Sequence, residues 1–130
     1  MVSTQSSLSV LVVDDNISTC RTLVRLLERS GYSARCAESG LDALATLEAS
    51  RPRVVFLDVM MPGVDGFDVL RAIRADSENA PVAVIMYSAM SNPDYMKRAM
   101  ELGANGYVVK GDLTFAEIEG IIDENLKRLN

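Results

Sequence analysis

Histidine and tryptophan are both absent from this chain of 130 residues. Without an imidazole, the protein has no histidine to carry a phosphoryl group, to act as a general base or to bind a metal. Cysteine is scarce: only Cys20 and Cys36 occur, and they do not form a C-x-x-C motif. We expect both to be reduced and buried as small apolar side chains, with a structural disulfide between them as the less favoured alternative.

Long apolar runs and excess positive charge are lacking as well. No apolar run approaches the roughly 20 residues that span a bilayer, so we expect no membrane insertion. Acidic residues outnumber basic ones by 18 to 13, which leaves a net charge of -5. This balance disfavours direct contact with nucleic acid and favours a cation site or basic protein partners. Residues 1–7 are polar and serine-rich, unlike a signal peptide, so we expect a flexible tail on a cytoplasmic protein.

The chain does contain short β-branched apolar runs that alternate with longer stretches of helical periodicity. After the first run, apolar residues recur at three- and four-residue steps from Ile17 to Leu27, as in an amphipathic helix. Further helices are predicted from Gly40 to the Arg51-Pro52 pair and over 67–74, 93–102 and 115–129. Strands are predicted at 8–13, 33–37, 54–57, 82–86 and 106–109.

Repeated strand and helix units of this kind predict an α/β domain over residues 8–130, built on a single five-stranded parallel sheet with helices on both faces. The continuous apolar runs suit parallel strands that are covered on both sides. We expect the doubly wound, flavodoxin-like (βα)5 arrangement with five helices and the strand order 2-1-3-4-5. In such sheets ligands bind at the carboxyl ends of the strands, so polar residues at these ends are the candidates for function.

Polar side chains come at the ends of four of the five predicted strands. Asp14 and Asp15 follow the first strand, Asp58 follows the third, Ser88 comes just behind the fourth and Lys110 follows the fifth. A single aspartate in such a place is usually a helix cap or a turn residue. Capping alone explains poorly why four strand ends on one rim carry such groups, one of them a lysine.

Carboxylates that converge on one site repel each other, so a cation is needed to offset them. With neither histidine nor paired cysteines in the chain, the hard ions Mg²⁺ or Mn²⁺ are the expected metals. An ionised carboxylate at a strand end can then act as a nucleophile toward phosphorus and form an acyl phosphate. We expect Lys110 to stabilise charge on the transferring oxygens and Ser88 to donate a hydrogen bond to the phosphoryl group.

The same residues resemble those of one known family, the receiver domains of response regulators in two-component signalling. The strongest stretch is VVFLDVMMPGVDGFDVLRAIR at 54–74, where an aspartate at a strand end precedes Met-Pro and then Asp-Gly. Supporting stretches are LVVDDN at 11–16, GYSARCAESGLDAL at 31–44 and ELGANGYVVK at 101–110, so that the resemblance covers residues 8–129. It implies a signalling domain and not an enzyme, one that takes a phosphoryl group from a histidine kinase or histidine phosphotransfer protein.

Position by position, the resemblance implies a magnesium-dependent phosphoacceptor. Asp58 matches the residue that accepts the phosphoryl group. Asp15 and Asp58 match the direct Mg²⁺ ligands, Asp14 a ligand that acts through water, and Met60 a ligand that acts through its backbone carbonyl. Phosphorylation is then expected to change the surface of the fourth and fifth βα units and so to control a downstream protein target. The resemblance allows either a monomer or a phosphorylation-dependent dimer.

The residues that would sense the phosphoryl group also have matches. Ser88 matches the switch hydroxyl, Lys110 the family's lysine, and Tyr107 the aromatic residue that changes rotamer as the hydroxyl moves. For Tyr107 a plain packing role at the sheet edge is equally favoured. The chain departs from the family at Gly111, where a proline usually forms a cis bond after the lysine. A cis bond before glycine costs roughly 2.5 to 4 kcal/mol, so either the fold offsets that cost or the turn is rebuilt in trans.

Two other functions stay open on the sequence. Because Gly111 departs from the family pattern, the chain could instead be a receiver-like binding module that is no longer phosphorylated. A phosphatase of the haloacid dehalogenase type also uses an aspartate at a strand end, but it has a second aspartate two residues later, where this chain has Met60.

The methionines allow two further hypotheses. Met60 and Met90 flank the expected phosphate and would hinder attacking water, which predicts a long-lived phosphoryl group. Met90, Met96 and Met100 could form an adaptable partner surface, although we favour core filling for them.

Overall fold

Five strands and five helices alternate along the computed structural model, which describes residues 9–76 and 81–128. Within that part of the chain, the strands form one parallel sheet in the order β2-β1-β3-β4-β5, which confirms the predicted topology. The strands are β1 Val10–Val13, β2 Ala34–Ala37, β3 Val54–Asp58, β4 Ala83–Ser88 and β5 Gly106–Val109. The helices are α1 Ile17–Arg29, α2 Gly40–Ser50, α3 Gly66–Ala75, α4 Pro93–Glu101 and α5 Phe115–Arg128. The predicted tail at 1–7, the first residue of the predicted strand at 8–13 and Leu129 lie outside the described residues.

The two central strands run further than the apolar pattern indicates. β3 includes Asp58 and β4 includes Ser88, because Asp58 pairs with Tyr87 and Ser88 pairs with Val109 in the parallel ladder. Backbone hydrogen bonds, which do not depend on side-chain polarity, continue the strands to these residues. The consequence for function is that both polar side chains are held by the sheet itself.

Side chains alternate between two hydrophobic clusters, one on each face of the sheet. Leu57 and Met86 belong to the cluster under α2, α3 and α4, whereas Phe56 and Ile85 belong to the cluster under α1 and α5. The period of two along each strand produces this division. All four residues of β1 are fully buried, as expected for a parallel strand covered on both faces.

Side-chain caps begin four of the helices at the edge of the sheet where the strands end. Asn16 accepts a hydrogen bond from the backbone N–H of Thr19 at the start of α1, and Asp65 forms a capping box with Asp68 at the start of α3. Ser39 and Asn92 cap α2 and α4 in the same manner. These caps define where each connection leaves the sheet, and so shape the rim on which the candidate residues lie.

The cysteines correct one expectation. Cys20 and Cys36 form a disulfide in the structure and are not the reduced thiols that we favoured, and their Cα atoms are 5.9 Å apart. Cys20 in α1 and Cys36 in β2 both belong to the α1 side of the sheet, because β2 pairs directly with β1, over which α1 packs. The two cysteines are sixteen positions apart in the sequence, and the crossover of α1 over this edge brings them within the usual Cα separation of a disulfide.

The methionines of the fourth βα unit correct a second expectation. Met90, Met96 and Met100 are exposed, so the core-filling role that we favoured for them is wrong. In α4 it is Ala99 that is buried against the sheet and Tyr95 that packs partly buried beside it, whereas Met96 and Met100 stay outside.

Among the helices that the structure describes, none combines the length and the apolar character that a bilayer crossing requires.

Candidate functional site

Three carboxylates meet at the carboxyl edge of the sheet. Asp14 and Asp15 come directly after β1, and Asp58 is the last residue of β3, which pairs with β1. One oxygen from each of the three lies within 4.8 Å of the others. Asp14 is fully buried and Asp58 is 5% exposed, whereas Asp15 is open to solvent. The structure therefore brings together the three aspartates that the sequence places at separate strand ends.

Local backbone contacts hold the acidic cluster in place. Oδ1 of Asp14 accepts a hydrogen bond of 2.9 Å from the backbone N–H of Asn16, which also caps α1. Behind Asp58 the chain passes very close to the start of α3, where a Cβ on Gly66 would lie 2.2 Å from the Asp58 backbone oxygen. Only glycine fits at this position, so the Asp-Gly pair within the 54–74 stretch has a steric reason.

Lys110 reaches this cluster from β5. Its Nζ lies 2.8 Å from Oδ2 of Asp14 and 3.4 Å from Oδ2 of Asp58, and its backbone N–H donates to the Ser88 carbonyl at 2.7 Å. No cis peptide bond occurs among the described residues, so the bond to Gly111 is trans. Gly111 has φ of +88°, a left-handed value that glycine adopts readily. The turn is thus rebuilt in trans, and the lysine still reaches both carboxylates.

Burial and neighbouring charges act in opposite directions on the acidic cluster. Burial raises the pKa of Asp58 from 3.8 to about 6, the charge of Lys110 acts to lower it, and the charge of Asp14 raises it again. For Lys110, burial alone would lower the pKa, but the hydrogen bond to Asp14 and the charges of Asp58 and Asp14 raise it. An ion pair by itself would lower the pKa of Asp58, so burial is the stronger influence on this carboxyl.

The donor set of the cluster fits a hard divalent cation. Three carboxylates face one ammonium, which leaves negative charge uncompensated at the rim. All the ligand atoms that the aspartates offer are oxygens, which Mg²⁺ and Mn²⁺ prefer. A bound cation would also favour the ionised form of Asp58, whose pKa is otherwise raised by burial.

Ser88 and Tyr107 contact the same residue from two sides. Ser88 is almost fully buried, and its Oγ accepts a hydrogen bond of 3.1 Å from the backbone N–H of Met90. The hydroxyl of Tyr107 donates to the Met90 backbone carbonyl at 2.8 Å. The ring of Tyr107 is half-buried against the cluster under α2, α3 and α4. It therefore has the packing contact of a sheet-edge residue and also a polar link to the loop after Ser88.

Tyr87 is a residue of the site that the strand-end pattern did not reveal. Nζ of Lys110 lies 4.9 Å from the centroid of the Tyr87 ring. The tyrosine pairs with Asp58 in the sheet, and its strand β4 lies between β3, which ends at Asp58, and β5, which Lys110 follows. An aromatic residue directly before Ser88 was the signal available in the sequence, but its contact with Lys110 depends on the strand order.

Comparison with known families and proteins points to one group. A family model described as response regulator receiver domain matches residues 10–122. The chain is 38% identical over 119 residues to the probable transcriptional regulator ycf27 of Cyanophora paradoxa. The aligned region covers 92% of this chain and 48% of that protein. It is 37% identical over 123 residues to the transcriptional regulatory protein PrrA of Mycobacterium leprae, and this aligned region covers 95% of this chain and 52% of that protein. The chain spans about half the length of the curated relatives it matches.

Solved structures agree with the family match. The chemotaxis protein CheY4 of Vibrio cholerae superposes with a TM-score of 0.82 at 28% identity, over 96% of this chain and 100% of that chain. The receiver domain of the Francisella response regulator 1452 gives a TM-score of 0.85 at 25% identity, over 95% and 100%. The signal receiver domain of a DNA binding response regulator from Colwellia psychrerythraea 34H gives a TM-score of 0.84 at 28% identity, over 93% of this chain and 99% of that chain.

Proposed function

The chain belongs to the response regulator receiver domain family of two-component signalling, and we propose from this premise that it accepts a phosphoryl group on the carboxylate of Asp58. The observation that carries the proposal is the placement of Lys110 within 3.4 Å of that carboxylate, inside a cluster of three aspartates. A buried carboxylate between an ammonium and a cation site has the surroundings that a phosphoryl acceptor needs, since both charges stabilise the oxygens of the transferring group.

Mg²⁺ is the cofactor that we propose for this transfer, with Mn²⁺ as the alternative. Asp15 and Asp58 would hold the ion directly, Asp14 through a water molecule and Met60 through its backbone carbonyl. When bound, the ion supplies a positive charge beside the incoming phosphoryl oxygens. The support for the metal is that one oxygen from each of three carboxylates lies within 4.8 Å of the others, while the Lys110 ammonium offsets only part of their charge.

Each of the other side chains has a proposed part. The Asp58 carboxylate attacks phosphorus, the bond from phosphorus to the donor breaks, and the donor leaves with that bonding electron pair. Lys110 donates its ammonium hydrogens to the transferred group and moves away from Asp14 to do so. The Ser88 hydroxyl turns to donate to a phosphoryl oxygen.

The Ser88 movement is the step that we propose to start the switch. When its hydroxyl turns, Ser88 gives up the hydrogen bond that it now accepts from Met90. The hydroxyl of Tyr107 donates a hydrogen bond to the carbonyl of the same Met90. A shift of Met90 would therefore also displace the Tyr107 hydroxyl. This shared contact favours the switch role of Tyr107 over packing alone, and it leads from the phosphoryl group to the surface formed by α4 and β5.

We propose that the donor histidine lies outside this sequence. Because these 130 residues contain no histidine, the phosphoryl group would come from a histidine kinase or a histidine phosphotransfer protein. We propose a protein target for the surface around α4 and β5, with no direct contact to nucleic acid, since the net charge is -5. The domain would act as a monomer or as a phosphorylation-dependent dimer.

Acetyl phosphate with Mg²⁺ tests the proposal directly. The wild-type chain should gain one acid-labile phosphoryl group, seen by mass spectrometry, and Asp58→Asn should gain none. Asp42→Asn is the matched control, because Asp42 is an exposed carboxylate of α2 that bonds the Glu38 backbone outside the site. Equal labelling of wild type and Asp58→Asn would rule out Asp58 as the acceptor.

Beryllofluoride distinguishes the switch from a binding module without phosphorylation. At saturating Mg²⁺ the mimic should shift the backbone amide resonances of Met90 and Tyr107 in the wild-type spectrum. An unchanged spectrum would favour the binding module. Rapid multiple turnover of phosphate monoesters, by contrast, would favour a phosphatase.

A further inference from the structure

Lys110 has to cross one strand before it reaches the acidic cluster. The sheet order places β4 between β3, which ends at Asp58, and β5, which leads into Lys110. Neighbouring strands lie about 4.8 Å apart, so the lysine side chain spans the width of β4 to bring Nζ within 3.4 Å of Asp58. The β4 residue that pairs with Asp58 is Tyr87. The tyrosine therefore lies on the route that the lysine takes.

The ring of Tyr87 is placed to attract the ammonium. Nζ of Lys110 lies 4.9 Å from its centroid, inside the limit of about 6 Å for a cation over an aromatic ring. The ring itself meets Phe56 edge to face, with centroids 6.1 Å apart and planes at 83°. Tyr87 is half-buried among the side chains on the α1 and α5 face of the sheet. Its orientation is thus supported by the Phe56 ring.

The end of the lysine side chain contacts two carboxylates and one aromatic ring. Gly111, which follows Lys110, has φ of +88°. Two carboxylates hold the end of the side chain, at 2.8 Å from Asp14 and 3.4 Å from Asp58. These same carboxylates belong to the proposed cation site, whereas the ring of Tyr87 does not. The ring is the one contact of the three for which a cation does not compete.

We propose that Tyr87 is a positioning residue, which holds the Lys110 ammonium above the phosphoacceptor through the face of its ring. The inference rests on the proposed phosphotransfer to Asp58. A ring that serves only as apolar filling would be replaceable by leucine once the domain has folded. A ring that holds the ammonium would be replaceable only by another aromatic side chain.

Phosphorylation kinetics separate these two roles. With saturating Mg²⁺ and acetyl phosphate, Tyr87→Leu should lower the phosphorylation rate constant by roughly fivefold, in keeping with the strength of a partly buried cation–π contact. Tyr87→Phe keeps the ring and should retain most of the rate. Tyr95→Leu is the control, because Tyr95 makes a similar edge contact with Phe67, at 5.9 Å, but lies on the other sheet face away from Lys110. A Tyr87→Leu rate equal to that of Tyr95→Leu would overturn the proposal.

A double-mutant cycle shows whether Tyr87 acts through the lysine. Lys110→Met should slow phosphorylation, and adding Tyr87→Leu to it should cause no further loss, because the contact is already gone. Losses that multiply independently would overturn the inference while Asp58 remained the acceptor. A wild-type chain that takes no label at all would instead overturn the proposed function, so the two failures are distinguishable.

A spectroscopic measurement on the metal-free wild type keeps the test independent of activity and of how well Tyr87→Leu folds. Protons on the Lys110 ε-carbon should resonate upfield of those of the exposed Lys97, because of the ring current of Tyr87. The displacement should persist in Tyr87→Phe. Matching shifts for the two wild-type lysines would refute the positioning role.

Discussion

Lys110 lies closer to Asp14 than to Asp58, the residue that we propose as the acceptor. Nζ is 2.8 Å from Oδ2 of Asp14 and 3.4 Å from Oδ2 of Asp58. Asp14 is fully buried and is also held by the Asn16 backbone, so its contact with the lysine is the more firmly placed of the two. The lysine therefore offsets part of the charge of the cluster before any cation or phosphoryl group arrives.

This relationship predicts competition between Lys110 and Mg²⁺ for the same carboxylates. Lys110→Met removes a positive charge from the cluster, so Mg²⁺ should bind more tightly, with a dissociation constant lower by a factor on the order of five. Phosphorylation of the same variant should be slower, since the ammonium is lost. Isothermal titration calorimetry measures the affinity, and Lys97→Met on the exposed side of α4 is the control. Weaker Mg²⁺ binding by Lys110→Met would contradict this account.

The raised pKa of Asp58 predicts a pH-dependent stability without metal. Because burial raises the pKa to about 6 in the folded state from 3.8, the folded chain binds more protons than the unfolded chain between these values. The free energy of unfolding contributed by this group should therefore fall as pH rises from 4 to 6 and stay low above that.

Asp58→Asn isolates this contribution. In the presence of a chelator at pH 7, the variant should be more stable than the wild type by about 2 kcal/mol, and the difference should vanish below pH 4. Urea denaturation at several pH values measures it. Parallel profiles of unfolding free energy against pH for the two chains would contradict the raised pKa. Saturating Mg²⁺ should stabilise the wild type and so reduce the difference in unfolding free energy between the two chains at pH 7.

The shared contact at Met90 predicts how Ser88 transmits phosphorylation. Ser88→Ala removes the oxygen that accepts the Met90 N–H, so beryllofluoride should still bind but should shift the Met90 amide resonance less than in the wild type. Ser91→Ala, one residue beyond Met90, is the control and should respond as the wild type does. A full Met90 response in Ser88→Ala would show that the signal leaves the site by another route.

The methionines at the rim predict the lifetime of the phosphoryl group. Met60 and Met90 are both exposed, and the backbone N–H groups of these residues donate to Asp58 and Ser88, so that we expect their apolar side chains to exclude attacking water. Met60→Asn introduces a polar group that can orient water, so the phosphoryl half-life should shorten severalfold. Loss of radiolabel after removal of the donor measures it. Met96→Asn, an exposed position on α4, should leave the half-life as it is, and a half-life in Met60→Asn as long as in the wild type would refute the shielding role.

Much of the fold and part of the site could be predicted from the order of residue types. The short, continuous apolar runs and the helical steps between them led to the five βα units, because strands that are buried on both faces of a parallel sheet are apolar along their whole length. The aspartates, Ser88 and Lys110 stood out because polar residues at the ends of apolar runs are conspicuous. Tyr87 did not, since an aromatic side chain within an apolar run looks like any other core residue.

Two expectations failed for a physical reason of the same kind. The pairing of Cys20 with Cys36 depends on α1 crossing over the edge of the sheet where β2 lies. The exposure of Met96 and Met100 depends on how α4 is turned against the sheet, with Ala99 inward. Neither the distance between α1 and β2 nor the rotation of a helix about its axis can be predicted from residue types alone.

The sequence by itself determined the alternation of strands and helices and the polar residues at the strand ends, because both arise from local patterns of burial along the chain. Only the tertiary structure decided that Lys110 crosses β4 to reach Asp14 and Asp58, and that the ring of Tyr87 lies beneath it on the way. The physical reason is that these contacts join residues that lie in, or directly after, four different strands, and their distances depend on the order and register in which the strands pair.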